Sequence, residues 1–245
     1  MNFLLLEEVD STNSYVAVHA AELEDMTMVI ADSQTAGRGQ RGNSWESEQG
    51  KNLTFTLLYK PQGIAPREQF AISEAAALAV ADFLVESGME AKVKWPNDIY
   101  AGDRKISGIL IEHALMGQTI QHTRIGIGLN VNQREFRSDA PNPVSMVQLL
   151  GSESDISRVA VGVGTHLERR LRSAETPAGR DALHAEFKRR LWRGDGGEHP
   201  FRRRDTGETF LGIITDVSAE GPIEILDTAS AQTLSFWFKE VEFIL

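Results

Sequence analysis

Residues 35–45 read TAGRGQRGNSW, with glycines at 37, 39 and 42, arginines at 38 and 41, and Trp45 closing the run. Glycine lets backbone N–H groups turn toward a ligand, and Arg38 and Arg41 add planar forks of charged donors suited to a carboxylate or a phosphate. The segment reads as an anion clamp or, on composition alone, as a surface loop with solvated arginines. It lacks the GxxxxGK[ST] pattern, and its Gly37–Gly39–Gly42 spacing does not open a helix, so neither common phosphate loop applies. A second segment with chemical potential is KVKWPNDIYAGDRKISGILIE, residues 92–112. Pro96 holds Trp95 extended and interrupts a strand, so Asn97 and Asp98 emerge at its end. There Asp98 is placed to bind a metal or a ribose hydroxyl, although the pair also suits an Asx turn. Lys105 and Gly108 lie on the returning strand. The Lys105 ammonium then approaches the end of the preceding strand, where it would neutralise a carboxylate or an α-phosphate; a solvated lysine is the plain alternative. In GIGLNVN, residues 126–132, Gly126 and Gly128 bare one strand face and Asn130 continues the alternation. Such a face admits a flat ligand, or marks a bulge or close packing.

The elements that hold these segments follow from periodicity. After EEVDSTNS, where Asp10 or Ser11 is a candidate helix cap, YVAVHAAEL is helical and MTMVIADSQ is a buried strand. NLTFTLLYK is strand-like, and PREQFAISEAAALAVADFLVESG is a long helix with Pro66 near its start and Gly88 past its end, its alanines implying close packing. AKVKW and IYAGDRKISGILIEHALMG read as strands joined by a tight turn at AGDR, and TIQHTRIGIGLNVN as another. Two amphipathic helices follow, one with Ile156, Val159, Val163 and Leu167 on a stripe, the other with Leu183, Phe187 and Leu191. Both would cover a sheet face. At RGDGGEHPFRRRD, Gly, Pro and charge replace the apolar period, so a domain boundary is expected there: residues 1–194, then a small unit of short strands over 195–245 that leans on the first. The fold class expected is α+β or mixed α/β, with helices packed on a sheet and a small C-terminal β-barrel or sandwich.

Composition bounds the function. With 245 residues and 41% hydrophobic content the chain buries a real core. A formal charge of -10 argues against wholesale nucleic-acid binding, which draws its affinity from neutralised phosphates, but leaves small anionic ligands open. The absence of cysteine removes disulfides, thiol nucleophiles and thiolate zinc. No apolar run is long enough to span a bilayer, and the first residues lack the features of a signal peptide, so a soluble cytoplasmic protein is expected. Basic residues at 188–190, 193 and 202–204 suit either an acidic partner or a solvated face.

Taken together, STN at 11–13, QTAGRGQRGNSW at 34–45, KWPNDIY at 94–100, RKISGILIE at 104–112 and GIGLNVN resemble the biotin protein ligase family. The resemblance implies a catalytic domain with a mixed sheet and packed helices, akin to class II synthetases, followed by a small SH3-like barrel. It implies an ATP-dependent ligase that makes biotinyl-5'-AMP and passes biotin to a lysine of a biotin carboxyl carrier protein domain, with ATP and Mg²⁺ as cofactors. Lys105 and Arg38 would be catalytic. Ser11, Thr12, Asn13, Gln34, Gly37, Arg38, Gly39, Gln40, Lys105 and Gly108 would bind biotin, the first three and Gln34 at its ureido head. Arg38, Arg41, Trp45, Asn97, Asp98, Lys105 and Asn130 would bind ATP or the adenylate, with Trp45 covering it once the loop closes and Asp98 a possible Mg²⁺ ligand. Many relatives carry a DNA-binding helix-turn-helix before this domain; with STN at residue 11 none is expected here, nor a repressor role, and the protein would be a monomer or homodimer without nucleic-acid or membrane partners. Two positions depart from the family pattern: Gln40 stands where a basic residue is common, and Ser107 where glycine or alanine is. Competing readings are a lipoate or octanoyl transfer protein and a non-catalytic biotin or nucleotide sensor.

Overall fold

A computed structural model of the chain describes residues 1–40, 44–138 and 141–245. Arg41 and Gly42 of the glycine and arginine segment lie outside these residues.

The N-terminal strand β1 (Asn2–Val9) leads through helix α1 (Thr12–His19) to β2 (Thr27–Gln34), which pairs with β1 in parallel. β1 carries too few polar alternations to stand out in the sequence, and its parallel partner lies beyond a helix. From β2 the sheet continues antiparallel through β3 (Leu53–Tyr59) to β7 (Thr119–Leu129), β6 (Arg104–Met116), β5 (Asp98–Ala101) and β4 (Lys92–Lys94), seven strands in the order β1-β2-β3-β7-β6-β5-β4.

The two faces of this sheet differ because strand side chains alternate. Leu53, Phe55, Leu57 and Tyr59 of β3 belong to the main apolar core. Long α2 (Phe70–Glu86) is buried over nearly its whole surface within that core, with α4 (Ile156–Ala174) and α5 (Pro177–Arg189) against it. The alanines of α2 allow this by keeping the helix thin, and Pro66 sits in a short 3-10 turn, Pro66–Glu68, just before the helix. The stripes of α4 and α5 are buried as their spacing predicts, at Val159, Val163, Leu167, Leu183 and Phe187. They rest on α2, so these helices form an outer layer, and α4 also reaches β3. A short helix α3 (Met146–Leu150) precedes them, its Gln148 side chain accepting the Ser145 N–H at 3.0 Å, and it ends at Gly151 in the left-handed region. The other face of the sheet is polar at its centre, and α1 packs over one end of it, where Val16, Ala20, Val29 and Leu58 form a small cluster.

Beyond α5 a second sheet comprises β8 (His199–Arg203), β9 (Thr209–Val217), β10 (Ile223–Asp227), β11 (Gln232–Phe236) and β12 (Val241–Phe243). The expected barrel is not formed: the ladder order is β11-β10-β9-β8-β12, and β11 and β12 are its two open edges. Closure would need those edges to pair. Instead the turn between them carries Phe238 outward against Trp95 and Phe70, at ring separations of 5.3 and 5.9 Å. The two sheets share one continuous apolar core, and the Trp95 indole N–H donates to the Gly221 carbonyl at 2.9 Å. The basic residues of this region are tied into the molecule: Lys188 pairs with Asp216, Arg190 with Asp82 and Glu186, and Arg202 and Arg204 with Glu242.

Among the described residues no helix is long and apolar enough to cross a membrane.

Candidate functional site

The polar centre of the seven-stranded sheet is the floor of a cleft of about 650 Å³, within the size range of small-molecule sites. Register explains the floor. Thr54, Gly128, Gly108 and Asp98 lie opposite one another on β3, β7, β6 and β5, and Thr56 pairs with Gly126 one step along. Threonines and glycines thus take the positions that face away from α2, leaving a low, hydrogen-bonding surface where apolar side chains would close the cleft.

At one end α1 brings Ser11, Thr12 and Asn13 over this floor, all three nearly buried. The cap of α1 differs from the sequence expectation. Ser11 makes no side-chain cap bond, and Asp10 accepts the Ser11 N–H; the Thr12 N–H donates instead to Gln34 Oε1 of β2, at 2.8 Å. The Thr12 hydroxyl donates to the same oxygen at 3.1 Å, so both Thr12 donors orient the amide and leave its Nε2 as a donor toward the cleft. Thr56 Oγ1 lies 2.6 Å from Asn13 Oδ1 and 2.8 Å from Thr12 Oγ1, and Asn13 Nδ2 donates to Glu112 at 3.3 Å. The cluster is a preorganised set of short polar groups.

At the other end, the hairpin of β5 and β6 brings Lys105 Nζ to 2.7 Å from Asp98 Oδ1. A bulge makes this possible. The pairing passes from Ile99 opposite Ser107 to Tyr100 opposite Lys105, skipping Ile106. Strict alternation would put Lys105 and Gly108 on opposite faces; with the extra residue both line the cleft, and a Cβ on Gly108 would stand 3.3 Å from Lys105 Nζ. Lys94 of β4 donates to the Tyr100 hydroxyl at 3.1 Å and lies 4.9 Å from that ring's centroid. Burial lowers its pKa, opposed by the Asp98 charge, so its ammonium is in want of an anion.

The loop expected to clamp an anion has a small antiparallel stem. Trp45 N–H donates to Gly37 O at 3.0 Å and Arg38 bridges Ser44. Gly37 does not line the cleft. Its role is close approach, since a Cβ there would stand 2.7 Å from Trp45 O. Arg38, Gly39, Gln40 and Trp45 do line it. The bare face anticipated at Gly126 and Gly128 is filled by the protein's own groups: a Cβ on Gly126 would be 2.7 Å from Asn13 Oδ1, and one on Gly128 would be 2.2 Å from Trp45 Cε2. The Trp45 indole therefore lies flat on the Gly108–Gly128 pair, 5.7 Å from Lys105 Nζ. Its Nε1 is buried with no hydrogen-bond partner among the described residues. An unmet donor of this kind costs on the order of 1–3 kcal/mol and marks a place for a ligand acceptor.

Asn97 and Asn130 line the cleft, and each side-chain amide donates one N–H to a carbonyl, those of Ile109 and Val144 respectively. These bonds brace the walls. Several lining residues escape sequence reasoning. Thr54 and Thr56 had a signal, polar residues at alternate positions of an apolar strand. Phe136, Ser138, Pro141, Asn142 and Pro143 form a wall from an irregular segment with no period. Glu46 joins that wall to the loop by accepting from the Arg137 and Ser138 N–H groups at 2.9 and 2.7 Å. Burial pulls its pKa upward, but the bonds from Ser138, Arg137 and Gln133 outweigh this and hold the carboxyl below the usual range.

The described residues contain no cluster of three or more His, Asp or Glu side chains able to hold a metal. Asp98 is a single carboxylate already engaged by Lys105, so a Mg²⁺ ion here fits only as one carried in by phosphate oxygens, its usual mode in nucleotide sites.

The fold is α+β, a mixed sheet with packed helices, and its cleft has hydrogen-bonding side chains at one end of the sheet's polar face and ammonium groups at the other. The chain matches the biotin/lipoate A/B protein ligase family over residues 5–130, and it belongs to that family. It is 38% identical over 130 residues to the bifunctional ligase/repressor BirA of Escherichia coli, covering 52% of this chain and 39% of that one. To the biotin--[acetyl-CoA-carboxylase] ligase of Paracoccus denitrificans it is 38% identical over 130 residues, 52% of this chain and 53% of that one. The chain thus spans about half the length of these relatives or less. Its fold matches that of the biotin protein ligase from Aquifex aeolicus in complex with biotin and ATP, with a TM-score of 0.80, 24% identity, and coverage of 98% and 97% of the two chains.

Proposed function

We propose that the protein is a biotin ligase that activates biotin with ATP and passes it to a lysine of a biotin carboxyl carrier protein domain, as in a carboxylase such as acetyl-CoA carboxylase. The observation that carries this reading is the two-ended cleft: Thr12, Asn13 and Gln34 at one end and Lys105 with Asp98 at the other, across a floor of Thr54, Gly108 and Gly128. In this reading the ureido head meets Ser11, Thr12, Asn13 and the free donor of Gln34, and the valeryl chain crosses the glycines to bring its carboxylate to Lys105.

The first step joins two anions. A biotin carboxylate oxygen attacks the α-phosphorus of ATP, the bond from that phosphorus to the bridging oxygen breaks, and pyrophosphate leaves. Lys105 and Arg38 neutralise the charge that accumulates on the α-phosphate, in a setting where fixed donors need no reorganisation. A Mg²⁺ ion bound to the phosphates would add further neutralisation. Asp98 holds the Lys105 ammonium in position. Trp45 lifts from or slides along the glycine pair to cover the adenylate and keep water from the anhydride. In the second step the neutral amine of the carrier lysine attacks the acyl carbon, AMP leaves, and the amine proton is lost. No protein nucleophile takes part, consistent with a chain that has no cysteine. Residues 1–194 carry this chemistry, and residues 195–245 form a second domain against it.

The test is biotin-dependent exchange of labelled pyrophosphate into ATP, followed by a streptavidin blot of purified carrier incubated with the protein, biotin and MgATP. Exchange and labelling are expected. Binding without exchange would make the protein a sensor, and exclusive transfer of lipoate in competition would make it a lipoyl ligase; either result ends the reading.

A further inference from the structure

The Asn13 side chain lies flat on Gly126, where a Cβ would stand 2.7 Å from Oδ1 and 3.1 Å from Nδ2. A carboxamide seated this way fits its place either way round, because its two ends have nearly the same shape. The choice matters to a ligand. An amide with its ends assigned meets an N–H with its oxygen or a C=O with its nitrogen, and the reversed amide sets donor against donor or acceptor against acceptor.

The hydroxyls beside Asn13 do not make that choice. Thr56 Oγ1, 2.6 Å from Asn13 Oδ1 and 2.8 Å from Thr12 Oγ1, has a single hydrogen for two acceptors, because the Thr12 hydroxyl gives its own to Gln34. Reversal would serve these groups better: Nδ2 would donate to Thr56, which would then donate to Thr12. What opposes reversal is Glu112 of β6, whose Oε2 accepts from Asn13 Nδ2 at 3.3 Å. An ionised carboxylate only accepts, so the oxygen end of the amide has no bond to make with it.

Glu112 is in turn held by register. It stands opposite Arg124 of β7, two residues beyond the Leu110–Gly126 pair that lines the cleft, and on the same face of the sheet. Arg124 Nη2 lies 3.4 Å from the same Oε2. A guanidinium only donates, so it keeps an acceptor beside the nitrogen end of Asn13.

We propose that Glu112 is a positioning residue for ligand recognition: it fixes which way round the Asn13 amide sits, and so the pattern of donor and acceptor offered to the ligand's polar head, while its own carboxylate stays behind Asn13. The proposal rests on the biotin-ligase reading above and adds to it a residue that the reading does not use.

Calorimetric titration with biotin is compared among the wild type, Glu112→Ala, Glu112→Gln, Asn13→Ala and the variant carrying both alanines, with KM and kcat for biotin-dependent pyrophosphate exchange measured on each. Glu112→Ala should weaken biotin binding about tenfold, as expected when one charge-assisted hydrogen bond is lost. The loss should fall on the KM for biotin and not on the KM for ATP. Glu112→Gln should recover most of it, since Arg124 turns the new amide's oxygen to the place of Oε2. In the Asn13→Ala background the Glu112→Ala change should cost nothing further, because an orienting contact acts only through the group it orients. Biotin affinity in Glu112→Ala within about twofold of wild type, an equal loss for ATP, a glutamine variant as weak as the alanine one, or additive losses in the double variant would each overturn the proposal. A wild type that binds biotin without pyrophosphate exchange sinks the ligase reading alone, and the titrations still decide Glu112; a wild type that binds no biotin sinks both.

Discussion

Lys105 Nζ and Asp98 Oδ1 stand 2.7 Å apart across the hairpin of β5 and β6, at the cationic end of the cleft. The carboxylate fixes an ammonium that a four-carbon stem would otherwise leave mobile. Lys105→Met should reduce the rate of biotin-dependent pyrophosphate exchange by on the order of a hundredfold or more, with a smaller loss in biotin binding, because the interaction matters most as charge develops in the transition state. Asp98→Asn should give a milder loss that shows in the rate more than in affinity. Single-turnover kinetics separate the two, and a Lys105→Met enzyme of normal rate would remove the residue from the chemistry.

A Cβ on Gly128 would stand 2.2 Å from Trp45 Cε2, so Gly128→Ala must expel the indole. Overpacking of this kind typically costs about 1–3 kcal/mol. Tryptophan emission should shift to the red, and ligand binding should weaken. In the Trp45→Ala background the same change at Gly128 should be nearly neutral, since contacting residues are not additive. Additive effects in that double-mutant cycle would mean that the indole does not rest on Gly128 in solution.

Glu46 ties the Phe136–Ser138 wall to the loop through the N–H groups of Arg137 and Ser138. Glu46→Ala should raise amide exchange and protease sensitivity in both segments without unfolding the core, since the bonds are exposed and local. Its lowered pKa gives the sign of the pH effect: the contact is complete above the usual carboxylate range and is lost as pH falls through the depressed folded value. Protection unchanged in the variant would show that the wall is held by other means.

His113 of β6, hydrogen-bonded to Thr123, is buried enough that its pKa falls to about 4. The folded protein keeps it neutral while the unfolded chain takes up a proton below the ordinary histidine value. Stability is therefore full above about pH 6.5 and declines as pH falls toward 4, by on the order of 3 kcal/mol from this group. His184 has the opposite sign: its bond to Glu74 raises its pKa, and its contribution is present at low pH and lost as pH rises through the raised value. Urea titrations between pH 4 and 7 should show a flatter acid limb for His113→Gln than for the wild type; identical limbs would mean that His113 is hydrated in the native state.

The parts of the site that the sequence made legible are those built by neighbours in the chain. The AGDR turn between β5 and β6 brings Lys105 back toward Asp98, and the glycines of residues 37–42 announce close backbone approach; both are local effects. The stripes of α4 and α5 are equally local, since one helix's period decides which residues it buries. β1 is not legible in the sequence because its parallel partner lies beyond α1, nor is β8, whose five residues sit among Gly, Pro and charge. The contents of the glycine face could not be read either. Gly126 and Gly128 say only that something approaches closely, and it took the folded loop and α1 to supply Trp45 and Asn13 as the approaching groups.

By itself, then, the sequence determined the periodicities, the order of most strands and helices, and the residue types able to bind an anion, because these depend on steric and hydrophobic preferences acting over a few positions. Tertiary structure alone decided that the second sheet stays open, that Gln34 rather than Ser11 caps α1, and that Lys239 comes to rest beside Gln40. Such contacts join residues with no shared local signal, and their geometry is set by how two sheets pack through Trp95, Phe70 and Phe238 rather than by any neighbour in the chain.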